Sequence, residues 1–93
     1  MIIGVCTIEL SIPAFTLKEK RQIIKSVIAR LRNKFNISVA EVDQLEAYQL
    51  GVIAAVAVSN DADYVHSLLT RVARWVDESR LDCELIDYHI ELI

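Results

Sequence analysis

The apolar residues of this chain switch period between two and about 3.6, and the order of the switches leaves few folds open. Ile2, Cys6, Ile8, Leu10 and Ile12 share one parity, while Val5, Thr7, Glu9 and Ser11 share the other. That alternation predicts a strand over residues 2–12, closed by Pro13. Leu17, Ile24, Val27, Ile28, Leu31 and Phe35 then recur at helical spacing. Thr16-Leu17-Lys18-Glu19 reads as a capping box at the start of that helix, with the Thr hydroxyl accepting from the backbone amide three residues on. Ile37 and Val39 alternate with Ser38 and Ala40, which gives a second strand ending near Val42, and Asp43 to Glu46 reads as a turn.

The segment Val52 to Val58 is apolar on both parities, the mark of a central strand or of one whose outer face is covered. Gly51 before it reads as a bulge. Ser59-Asn60-Asp61 is a helix start signal, and Val65, Leu68, Leu69, Val72 and Val76 form the second apolar stripe. A last strand follows Leu81, with Ile86, Tyr88, Ile90 and Leu92 on one side and Asp87, His89 and Glu91 on the other. The order β-α-β-β-α-β predicts an α+β, ferredoxin-like sandwich. Its four-stranded antiparallel sheet has strand order 4-1-3-2, and both helices lie on one face. Ninety-three residues suit a single domain over residues 1–93. With 54% hydrophobic residues, two Gly and one Pro, the chain belongs in regular elements rather than disorder.

The longest apolar stretch, Leu50 to Val58, is nine residues against the roughly 20 of a membrane helix. No positive leader precedes the first apolar stretch, so no signal peptide is read. Cys6 and Cys83 fall in predicted strands without ligand-like neighbours, which points to free, buried thiols and a reducing cytoplasm. The expected location is therefore cytoplasmic, with no membrane partner.

Charge is distributed unevenly. Seven of the ten Lys and Arg residues lie between Lys18 and Lys34, and twelve of the thirteen Asp and Glu residues lie elsewhere. A +6 window thus sits inside a chain of net charge −3. At about 100° per residue, Lys18, Arg21, Lys25 and Arg32 fall within about 60° of one another, along roughly 21 Å of helix. Lys20, Arg30 and Lys34 lie on the opposite flank. Such a stripe can dock on a nucleic-acid backbone without reading bases. It is also what a solvated helix face looks like, with cations paired to Asp63, Asp77 or Glu78 or covering apolar edges with their stems. Lys20 stands at the edge of the apolar stripe in the first turn, where the helix dipole disfavours a cation. An ion pair with Glu9, Asp43 or Glu46 would offset that; an anion contact is the sharper alternative.

The open sheet face suits RNA poorly. It lacks the aromatic residues and positive charge that base stacking and phosphate contact need, and Glu9, Asp87 and Glu91 would repel phosphate. Glu9, Asp87, His89 and Glu91 have the chemistry of divalent-ion ligands, but alternating polar residues are what any solvated sheet face shows, and no metal is expected. Val5, Ser38, Ala40, Ile53, Ala55 and Ala57 would make the middle of this face small and flat, a surface for a second copy. His66 reads as exposed, and Trp75 and Tyr64 read as partly buried on one flank of the second helix. No hydroxyl or thiol has an activating neighbour and no Gly-rich phosphate loop is present, so neither enzymatic activity nor a cofactor or small-molecule ligand is expected.

The segments Leu17-Lys18-Glu19-Lys20-Arg21 and Lys34-Phe35-Asn36-Ile37-Ser38-Val39-Ala40-Glu41-Val42 resemble the signatures of the YlxP-like family of small bacterial proteins, named for its unknown function. The likeness covers essentially the whole chain. Thr16 stands where the family usually has Ser, Lys34 where it has Arg, and Tyr48 where it often has Trp. The resemblance implies the ferredoxin-like fold and a bacterial cytoplasmic protein. Family members are often encoded beside translation and ribosome-maturation genes, which implies ribosomal RNA or a ribosomal particle as partner. It brings no catalytic residues. It makes Lys18, Glu19, Lys20, Arg21, Asn36, Ser38, Glu41 and Asp43 candidates for function. The expectation is a non-enzymatic accessory protein whose Lys18, Arg21, Lys25 and Arg32 contact phosphates while Lys20 helps fix the register. The rival is a homodimeric interaction module working through the open sheet face.

Overall fold

The structure is a computed structural model that describes residues 1–79 and 81–93. Its elements run β1 (Ile2–Ser11), α1 (Leu17–Lys34), β2 (Ser38–Asp43), β3 (Leu50–Ser59), α2 (Ala62–Glu78) and β4 (Glu84–Leu92). The four strands form one antiparallel sheet in the order β2-β3-β1-β4, the expected order counted from the other edge. Both helices begin where the sequence signals them. The Thr16 hydroxyl accepts from the Glu19 amide at 3.1 Å, and the Asp61 carboxylate accepts from the Asp63 and Tyr64 amides.

The core lies between the helices and one face of the sheet. Cys6, Ile8 and Leu10 of β1 share one buried cluster with Ile24, Val27 and Leu31 of α1 and Val65, Leu69 and Val72 of α2. Helix α2 covers β1, β3 and β4, while α1 lies over β2. The two glycines mark where the helices come closest. A Cβ on Gly4 would stand 2.3 Å from Val65 Cγ1, and one on Gly51 would stand 2.9 Å from Ile24 Cδ1. Gly51 is thus no bulge residue; it pairs regularly with Leu10 and makes room for α1.

That contact fixes the parity of β3, and it corrects the sequence reading. Ile53, Ala55 and Ala57 share the helix side with Gly51 and are buried, so they are absent from the open face. Val52, Ala54, Val56 and Val58 take that place, opposite Glu9, Thr7, Val5 and Ile3. The two bulges lie elsewhere. One falls between Glu41 and Asp43 in the β2–β3 pairing, and one between Glu9 and Leu10 in the β1–β4 pairing. The second reverses the parity of β4: Leu85 pairs with Leu10 and packs on the core, and Ile86 is left 51% exposed. Ile86 therefore does not join Tyr88, Ile90 and Leu92 on the helix side.

Candidate nucleic-acid interface

Helix α1 exists because Ile24, Val27 and Leu31 give it a buried stripe seated over β2. Its remaining faces are free to carry charge. Lys18, Arg21 and Lys25 are exposed and, at about 100° per residue, project in one direction. Among the described residues none of the three is in an ion pair; the basic side chains that do meet a carboxylate are Lys20, at Glu41, and His89, at Glu91. Asp63, Asp77 and Glu78 of α2 therefore do not neutralise the stripe. From Lys18 to Lys25 the helix rises about 10 Å, the axial span of roughly three phosphates on one strand.

Arg32, the expected fourth member, is tethered. Its Nη2 donates to the Val39 carbonyl of β2 at 2.9 Å, which holds the C-terminal part of α1 against the sheet edge. Of the opposite flank, Arg30 and Lys34 are exposed, and Lys34 Nζ lies 5.8 Å from the centre of the Phe35 ring.

Of the two roles read for Lys20 in the sequence, an ion pair and an anion contact, the structure shows the ion pair, with an acid other than those expected. Lys20 is 0% exposed, and its ammonium lies 2.6 Å from Glu41 Oε2 and donates to the Gln44 carbonyl at 2.8 Å. A phosphate cannot reach it, so it does not set the register of an RNA backbone. The acid that offsets its unfavourable place in the first turn is Glu41, rather than Glu9, Asp43 or Glu46. Glu41 shares the parity of buried Val39, so β2 presents its carboxylate to the helix layer. Gln44, in the left-handed region at φ 56°, opens the β2–β3 turn and offers its carbonyl to Lys20. The Lys20 contacts thus pin α1 to both the strand and the turn.

Of the other motif residues, Glu19 lies in the first turn of α1 with its amide donating to the capping Thr16 hydroxyl, Asn36 lies in the α1–β2 connection, and Ser38 and Asp43 sit on β2. Tyr48 is half-exposed in the β2–β3 connection. Trp75 packs edge-on against Phe35, with ring centres 6.4 Å apart, and Tyr64 and His66 are exposed. Both cysteines are free and buried. Burial pushes the Cys6 and Cys83 thiols up to about 11, with Asp82 adding to the effect at Cys83. On the open face His89 pairs with Glu91 at 3.3 Å. Among the described residues no group of three or more His, Cys, Asp or Glu side chains is placed to hold a metal ion. No helix among them is long and apolar enough to cross a membrane.

A family model described as "Protein of unknown function (DUF503)" matches residues 3–90. The chain belongs to the DUF503 family. A relative, "Uncharacterized protein YlxP" of Bacillus subtilis (strain 168), is 34% identical over 64 residues, which is 69% of this chain and 70% of that protein. The matched region of the DUF503 model takes in both helices and runs through nearly the whole of β1 and β4.

Proposed function

We propose that this DUF503 protein is a non-enzymatic cytoplasmic accessory protein that docks on structured RNA, as ribosomal RNA or within a ribosomal particle, through α1. One observation carries the reading: Lys18, Arg21 and Lys25 are exposed on one side of the helix with no carboxylate partner among the described residues. Exposed cations held in a row by a rigid helix neutralise phosphates and release counterions, without base readout. The buried Lys20–Glu41 pair and the Arg32 tether hold the helix still, so the row costs little further ordering on contact.

Filter binding to ribosomal RNA across salt concentrations tests this. Three neutralised phosphates give a log–log slope near −2.7 on duplex regions, so affinity falls about 40-fold between 50 and 200 mM salt. The variant Lys18→Glu/Arg21→Glu/Lys25→Glu, altered only at exposed positions, should fold normally and lose this binding. Affinity indifferent to salt, or unchanged in the variant, refutes the proposal.

The alternative is self-association through the open sheet face. Val52, Ala54, Val56 and Val58 with Ile3 and Val5 favour it, because they leave apolar surface on β1 and β3.

A further inference from the structure

The open face is ordered in rows by the strand pairing. Val58 lies beside Ile3; in the next row Ser38, Val56, Val5 and Glu91 run across the sheet; then come Ala40, Ala54, Thr7 and His89. The fourth row is Asp43, Val52, Glu9 and Asp87. One end of the face is therefore apolar, and the other carries three carboxylates in a line. Glu9 and Asp87 are direct cross-strand partners, an arrangement that disfavours the sheet unless a cation intervenes. Among the described residues no strand contains Lys or Arg, so these strands supply none. A shallow groove of about 260 Å³ runs along this row, lined by Thr7, Glu9, Asp43, Gln44, Val52 and Ile86 among others. The two bulges shape it, since they bring Asp43 and Ile86 to its sides.

A second copy of the chain meets these rows badly. Two-fold stacking of identical faces sets the carboxylate row either against itself or against the apolar end. The first repels, and the second buries charge against Ile3 and Val58 without a partner. Strand addition cannot use this surface either, because β1 and β3 are interior strands with both edges paired. What the face matches is the chemistry that already covers its opposite side: a helix with an apolar stripe. At about 4.8 Å per strand and 3.4 Å per residue the face measures roughly 19 by 34 Å, wide enough for one helix about 10 Å across with room for its long side chains.

We propose that the open face of the sheet receives an amphipathic helix of another protein, its apolar stripe on Val5, Ala54 and Val56 and its Lys or Arg residues at Glu9, Asp43 and Asp87. The contact is independent of α1, which lies on the opposite side of the sheet. RNA is repelled by the same carboxylates that attract this partner.

The probe is a synthetic 18-residue helix with a Leu stripe and Lys and Arg at one end, titrated into amide-labelled protein. Shifts should be confined to open-face positions of the sheet, Asp43 of β2 among them, with the exposed side of α1 silent. A peptide with Glu in place of Lys and Arg should bind about ten-fold more weakly, as should Glu9→Lys/Asp87→Lys with the basic peptide. Ala54→Asp should abolish binding, whereas Lys18→Glu/Arg21→Glu/Lys25→Glu should leave it intact, which separates this surface from the RNA reading. Equal binding of the acidic peptide, shifts centred on α1, or no shifts at millimolar peptide overturn the proposal. So does sedimentation of the unliganded protein as a dimer that Ala54→Asp dissolves, because a second copy would then occupy the face.

Discussion

Replacing Lys20 with Met tests the part of the structure on which the geometry of α1 depends. Met keeps most of the length and apolar volume of the Lys stem but removes the ammonium. Glu41 then loses its cation, and the Gln44 carbonyl loses its donor at 2.8 Å. Breaking a buried ion pair by deleting one partner costs about 3–5 kcal/mol, because the remaining charge is stranded. The Glu41 side chain keeps 17% exposure, so water recovers part of that and the loss should sit near the lower end, about 3 kcal/mol. In a domain of this length each kcal/mol moves the melting temperature by about 4–8 °C, so thermal unfolding followed by circular dichroism should show a fall of about 12–24 °C. The double variant Lys20→Met/Glu41→Leu removes both charges together and should recover most of the loss, since an apolar pair of similar size serves a buried site about as well. A Lys20→Met protein melting within about 4 °C of its parent refutes the reasoning. So does a double variant no more stable than the single one, because the single change would then act through packing and not through the stranded carboxylate.

The bulge in β4 predicts that charge is tolerated at one of two neighbouring positions: Leu85→Lys should destabilise by about 2–3 kcal/mol in urea unfolding, and Ile86→Lys by less than about 0.5. The thiols give a pH dependence. In the unfolded chain they ionise near 9, whereas in the folded chain they stay protonated to about 11, so the folded state holds more protons between those values and stability falls as pH rises through them. Urea midpoints across this window should decline less steeply in Cys6→Ala/Cys83→Ala than in the parent.

Much of this fold was legible because single residues had one consistent environment. The stripe Val65, Leu68, Leu69, Val72 and Val76 needed only a helix to explain it, and every member is buried. The parity of β3 was not legible, because Val52, Ala54 and Val56 are nearly as apolar as Ile53, Ala55 and Ala57, and alternation carries no sign when both faces read alike. Packing against α1 decides it at Gly51, a contact between residues distant in sequence. The β4 bulge hid for a related reason: one inserted residue reverses parity without leaving a Gly or Pro as a marker.

The Lys20–Glu41 pair was closer to being readable. Lys20, Ile24, Val27 and Leu31 follow helical spacing, so Lys20 lies within the stripe and not at its edge. Val39 and Glu41 share a parity, so the carboxylate belongs to the core side of β2. A charge on each buried face signals a pair, although neither position names the other. The split among the exposed cations was not readable, because a helical wheel places Arg32 beside Lys18, Arg21 and Lys25 and does not show the Val39 carbonyl next to it.

The Arg32 tether also bears on how this sheet could be extended by another chain. β2 is a short border, with a charged residue turned inward at Glu41, an irregular register near Asp43 and one backbone acceptor already occupied by a guanidinium. Those are the means by which borders resist recruitment into fibrils. The opposite border, β4, is nine residues long and is guarded only by Glu84, Asp87, His89 and Glu91. With Glu84, Asp87 and Glu91 replaced by Ser, polymerisation of the folded chain should start there.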